Sequence, residues 1–158
     1  MRFWMRTACS MYMLVFASCL DEAEAIPVHE LIVSGDSAIE LKPGESALIA
    51  VQALDDEGRG TNGAEVTFVV SDDARLTVDG PDGGTHELTV VTAFRRVEGV
   101  SADGMASTHL RALEAAPVGD AVVIAVVKQP TEPSASITAR LSAHVTEASN
   151  DNDAGVSP

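Results

Sequence analysis

The sequence predicts an all-β domain, a single sandwich of antiparallel sheets, on three observations. Apolar residues recur with period two in several separate stretches. Turn-forming residues punctuate the chain at roughly the 8 to 12 residue spacing of a sandwich, and no segment sustains a 3.6-residue period. The alternation is clearest at Val66, Phe68 and Val70 against Glu65, Thr67 and Val69. It recurs at Ala106, Thr108, Leu110 and Ala112 against Met105, Ser107, His109 and Arg111. A third stretch sets Ile137, Ala139, Leu141, Ala143 and Val145 against Thr138, Arg140, Ser142 and His144. Each reads as a strand with one face toward water.

Val122 to Val127 is an unbroken apolar run, too short for a helix and suited to a central strand covered on both faces. Further strands are expected near 29 to 34, 38 to 42, 46 to 54, 74 to 78 and 86 to 93, eight or so short strands in all. Between them lie Lys42-Pro43-Gly44, Asp55-Asp56-Glu57-Gly58, Asp79-Gly80-Pro81-Asp82-Gly83-Gly84, Asp103-Gly104 and Pro117-Val118-Gly119-Asp120. Each supplies residues that preset or tolerate turn dihedrals.

The first 18 residues read as a targeting signal. Arg2 and Arg6 precede an uncharged run from Thr7 to Leu20, and Asp21 and Glu22 end it. That is a basic n-region followed by an apolar h-region, shorter than the about 20 residues a membrane-spanning helix needs. Phe16-Ala17-Ser18-Cys19 resembles the bacterial lipobox, with Phe16 where the motif usually has leucine. The resemblance implies that signal peptidase II exposes Cys19 as the mature N-terminus and that Cys19 carries lipid. Leu20 rather than Asp follows it, which in Gram-negative sorting implies outer-membrane delivery. Ala23-Glu24-Ala25 offers a competing site for the ordinary signal peptidase, releasing a soluble periplasmic or secreted chain from Ile26. The expected organisation is a signal peptide at 1–18, an acidic tether at 19–28, the β-sandwich at 29–146 and a disordered acidic tail at 147–158.

With Cys9 removed and Cys19 lipidated or removed, the body holds no thiol. It therefore has no disulfide framework, thiolate metal site or cysteine nucleophile. The chain of 158 residues carries 24 acidic and 10 basic side chains. Loss of residues 1–18 removes Arg2 and Arg6 and no acid, taking the net charge from −14 to −16. Such a surface repels nucleic acid. Phe68 and Phe94 are the only aromatics after residue 18, too few for the stacking platforms of sugar or single-stranded nucleic-acid sites. No aromatic hot spot singles out one loop as a contact surface.

Five stretches arrive in a recognisable order. Lys42-Pro43-Gly44-Glu45-Ser46 leads into Val51-Gln52-Ala53-Leu54-Asp55-Asp56-Glu57-Gly58, and Gly63-Ala64-Glu65-Val66-Thr67-Phe68 follows. Later come Ala102-Asp103-Gly104-Met105-Ala106 and Val118-Gly119-Asp120-Ala121-Val122-Val123. The set resembles the bacterial Ig-like domain of group 1, the module of invasin- and intimin-type adhesins, from roughly residue 30 to 146. The resemblance implies an Ig-like antiparallel β-sandwich in which these motifs are architectural. Asp55, Gly58 and Gly63 suit one hairpin and Asp103-Gly104 another, while Val66 and Phe68 suit the core. Family members usually carry such modules in tandem. Here there is one, with an unusually long stretch from Thr85 to Ser101.

Catalytic patterns fail on inspection. His29-Glu30 and His86-Glu87 begin like a zinc-protease motif, but Val33 and Val90 occupy its second histidine, and on a strand such positions are about 13 Å apart. His29, His86, His109 and His144 are scattered singly. Acidic loops at Asp55, Asp56 and Glu57, at Asp72 and Asp73, at Asp79 and Asp82, and at Asp151 and Asp153 are weighed as calcium ligands and read instead as solubilising turns. The expectation is a non-enzymatic, lipid-anchored cell-envelope protein without cofactor, metal or evident small-molecule substrate. It meets the membrane through Cys19 and uses one module for adhesion, interaction with an envelope protein or structural spacing. The alternative is a soluble binding accessory subunit cleaved after Ala25.

Overall fold

A computed structural model describes residues 27–80, 83–129 and 135–147. The signal segment, Cys19, most of the tether, Asp82 and the tail from 148 lie outside the described residues. Eleven strands form: β1 (Glu30–Ser34), β2 (Ala38–Leu41), β3 (Ser46–Leu54), β4 (Glu65–Val70), β5 (Leu76–Gly80), β6 (Gly83–Thr85), β7 (Glu87–Val91), β8 (Ala93–Val97), β9 (Val100–Ala112), β10 (Gly119–Lys128) and β11 (Ser136–Val145). One sheet runs β1-β3-β9-β5-β6, with β8 also paired to β9. The other runs β2-β11-β10-β4-β7.

Every pairing is antiparallel except that of β2 with β11. The first strand of the chain is thus shared between sheets: β1 lies along β3, and after Gly35-Asp36-Ser37 the chain crosses to run parallel to β11. The protein is an Ig-like antiparallel β-sandwich.

The period-two pattern determines which side chains fill the space between sheets. Val66 and Phe68 of β4 are fully buried, and Ile49 and Val51 of β3, Leu110 of β9 and Val123 of β10 join them in one core. β10 lies between β4 and β11, as an apolar run suggests. Its outer face, however, is only half covered: Val122, Ile124 and Val126 are half-buried, whereas Ala121, Val123, Ala125 and Val127 are buried. A sandwich has one inner face per sheet, so its central strand gains edge neighbours without gaining a second layer.

Three expectations need correction. The segment of Asp55, Gly58 and Gly63, expected as a hairpin, is the crossing from β3 in one sheet to β4 in the other. The strand expected at 86 to 93 is two strands in different sheets: β7 pairs with β4, and after Thr92 the chain crosses so that β8 pairs with β9. The expected Asp103-Gly104 hairpin is not a hairpin. The turn between β8 and β9 is Glu98-Gly99, with φ of 49° and 89°, between the paired residues Val97 and Val100. Two consecutive positive φ values make the two-residue turn whose twist matches antiparallel strands. The long stretch from Thr85 to Ser101 is thereby filled by β7, β8 and their connections.

Phe68, with no exposure, is the largest side chain in the core. Phe68→Ala is expected to lower unfolding stability by about 3–5 kcal/mol. Urea denaturation followed by circular dichroism measures this, and a loss below about 1 kcal/mol would contradict the packing described.

Candidate interaction surface

The chain crosses between the sheets twice at one place. On the way from β3 to β4, the Thr61 amide donates to the Ala53 carbonyl in the first sheet, and Gly60 bridges to Leu54. Two residues on, the Gly63 amide donates to the Thr92 carbonyl and the Thr92 amide to the Ala64 carbonyl, each at 2.8 Å, which extends the β4–β7 ladder. Thr92 sits where β7 ends and the chain returns to the first sheet. Its hydroxyl accepts from the Ala64 amide at 2.9 Å and donates to the Thr61 carbonyl at 2.7 Å. One buried side chain thus joins both crossings, and a buried polar group so satisfied stabilises rather than costs.

Asp103 and Gly104 meet this junction from β9. Between the pairs Ala93–Met105 and Arg95–Ala102, β9 carries one residue more than β8, so Asp103 and Gly104 together oppose Phe94. This is a β-bulge with glycine in the left-handed region, Gly104 having φ 76°. Asn62 supplies the hydrogen bonds that the bulge lacks. Its Nδ2 donates to Asp103 Oδ1 and its Oδ1 accepts from the Gly104 amide, both at 2.7 Å. Gln52 Nε2 donates to the Asp103 carbonyl at 2.9 Å. A β-carbon on Gly104 would lie 2.4 Å from the Ala53 carbonyl oxygen.

Beyond the bulge, β8 and residues 100 to 103 of β9 form an arm bent over the outer face of the first sheet. Val97 packs with Ala50 and Met105 in a small second cluster, flanked by Leu48 and Ala102. At the tip, Glu98 lies so close to Gly35 that a β-carbon there would be 3.0 Å from Glu98 Oε2. Met105, expected on a wet face, is buried by this arm. The other side of the arm faces solvent. Phe94, 65% exposed, and Arg96 lie there, while Arg95 and Val100, on the side of Val97, are exposed as well.

Some of the remaining charged groups are tied to local turns and others pair across strands. Asp55 accepts from the Glu57 and Arg59 amides and from Arg59 Nε, each at 2.9 Å. The Arg59 amide and then its guanidinium hold the Asp55 carboxyl below the usual carboxylate range, against the opposing effect of burial. Arg75 pairs with Asp72, Arg111 with Asp79 at 3.2 Å, and His144 with Asp120 at 2.6 Å. Arg95 and Arg96 have no such pairing with a described carboxylate.

The loops weighed as calcium ligands stay apart. Among the described residues, no three His, Cys, Asp or Glu side chains gather as a metal ligand set. His29 precedes β1, His86 lies between β6 and β7, and His109 lies on β9. Cys19, Asp82, Asp151 and Asp153 lie outside the described residues. Of the two body aromatics, Phe68 is buried and Phe94 exposed. The available signal was Arg95-Arg96, the one adjacent basic pair in the chain, followed by Glu98-Gly99 between valines.

No family model and no curated protein matches the chain. Among solved structures, it is similar to domains 4 and 5 of the S-layer protein SbsC at 13% identity and a TM-score of 0.48, covering 76% of this chain and 53% of that one. Domains 4–9 of SbsC give 12% identity and 0.48, covering 78% of this chain and 15% of that one. PapD-like domain 7 of human CEP192 gives 19% identity and 0.34, covering 77% and 89%. The chain spans about half of the two-domain SbsC structure. The Ig-like fold rests on the strand order and register described above.

Gly104 and Gly58 share a φ of 76°, but a β-carbon on Gly58 would meet nothing within 4 Å. Gly58→Ala is therefore expected to cost about 1–2 kcal/mol, the backbone cost alone. Gly104→Ala adds the collision with the Ala53 carbonyl and is expected to cost at least about 1 kcal/mol more. Equal losses in parallel denaturation curves would contradict the close approach at the bulge.

Proposed function

We propose that this chain is an exported, lipid-anchored cell-envelope protein whose single Ig-like module binds or spaces and performs no chemistry. Two sequence features support the anchor: the n- and h-regions ending at Phe16-Ala17-Ser18-Cys19, and the acidic tether up to the folded body. In this reading Cys19 carries the lipid and Leu20 directs the chain to the outer membrane. The ordered motifs from Lys42 to Val123 support a group 1 bacterial Ig-like module, the kind found in adhesins.

One observation carries the non-enzymatic part. The acids and the base that come together in the described body serve turns or lone pairs, as Asp55 with Arg59 and His144 with Asp120 do. The arm instead exposes Phe94 beside Arg95 and Arg96, which suits contact rather than bond-making. Ala23-Glu24-Ala25 favours a second reading, a soluble periplasmic or secreted accessory with the same module.

Mass spectrometry of the mature N-terminus, from cells of a Gram-negative host grown with and without an inhibitor of signal peptidase II, separates the two. A diacylglyceryl-modified Cys19 that disappears with the inhibitor is the expected result. An unmodified chain beginning at Ile26 would overturn the anchored reading.

A further inference from the structure

The arm places an aromatic ring and two arginines on an open sheet edge. β8 pairs with β9 on one side and with no described strand on the other. Val97 and Val100 close the two-residue turn, so they exchange the hydrogen bonds, and the next pair, Arg96 with Ser101, does not. The amide and carbonyl of Arg96 consequently point to the free edge. Successive side chains alternate across the arm. Arg96 and Phe94 share the solvent face, whereas Arg95 shares the side of Val97 and Ala102, and both arginines are exposed.

We propose that the β8 edge takes up an extended acidic segment of a partner protein as an added strand. This deepens the reading of the module as a binding unit and rests on it, though not on the lipid anchor. Charge complementarity identifies the occupant. In a chain with 24 acids and 10 bases, Arg59, Arg75 and Arg111 each pair with a carboxylate; Arg95, Arg96 and Arg140 pair with no described carboxylate, and of these Arg95 and Arg96 stand side by side. An added strand carrying acids meets Arg96 on one face and Arg95 on the other, while ladder hydrogen bonds form at Arg96. An apolar side chain beside Phe94 completes the contact, since aromatic and arginine side chains dominate interface energetics.

A bilayer or a nucleic acid is a poorer occupant. Each spreads negative charge over many Debye lengths of about 8 Å and so meets the chain's net negative charge as a whole. A short peptide meets the arm alone. The arginines also guard a free edge against self-pairing, and the test separates that role from binding.

The probe is a fluorescein-labelled peptide of alternating glutamate and valine, titrated into the full mature protein by fluorescence anisotropy. Saturable binding is expected, at least about tenfold weaker for the peptide with glutamine in place of glutamate. Arg95→Glu combined with Arg96→Glu is expected to weaken binding by at least about tenfold, and Phe94→Ala by about fivefold, with unchanged melting temperatures. Hydrogen exchange on the unsubstituted protein gives an independent reading: the Arg96 amide gains protection when the peptide binds. Overturning results are absence of binding, equal binding of the glutamine peptide, binding undiminished in the arginine variant, or capture of the protein by phosphatidylglycerol vesicles in preference to the peptide. None of these bears on whether Cys19 is lipidated, which the N-terminal mass decides separately.

Discussion

The Thr92 hydroxyl holds together a place where two inter-sheet crossings of the described chain lie side by side. It accepts from Ala64 and donates to the Thr61 carbonyl, so the entry to β4 and the exit from β7 are fixed relative to each other. A sandwich has no hydrogen bonds between its sheets' ladders, and apolar packing alone is not directional. A buried threonine with both hydrogen-bonding roles used supplies that direction. The start of β4, the end of β7 and the bulge in β9 all meet at this junction.

The bulge converts the junction into a surface. Asn62 reaches from the same loop to Asp103 and Gly104, and the bend there lays the arm across the outer face of β3. Burial of Val97 against Ala50 and Met105 anchors one side of the arm and leaves Phe94 and Arg96 on the other. Architecture and exposed chemistry are therefore linked through one loop. Gly60, Thr61, Asn62, Gly63 and Ala64 all touch the junction or line it.

Strand positions were legible in the sequence because each inner face must be apolar and each outer face wet. β3, β4 and β11 match their expected spans closely, and Val66 and Phe68 occupy the core as their alternation implies. The crossing at Thr92 was not legible, since an apolar-rich run from 87 to 91 continues into Ala93-Phe94 without a turn signal. Sheet membership is decided by long-range pairing, which periodicity does not encode. Asp103-Gly104 was read correctly as a site needing positive φ and incorrectly as a hairpin, because turns and bulges demand the same glycine. Phe94 was missed as a surface residue for a related reason: its neighbours Arg95 and Arg96 break the alternation that would have placed it.

Thr92→Val keeps the shape of the side chain and removes both of its hydrogen bonds. The Ala64 amide loses its side-chain acceptor and the buried Thr61 carbonyl loses its side-chain donor. The expected result is a stability loss of about 1–3 kcal/mol, with faster amide hydrogen exchange at Ala64 and Gly104 together. Unchanged stability, or faster exchange at Ala64 with Gly104 untouched, would contradict a single junction joining the crossings to the arm.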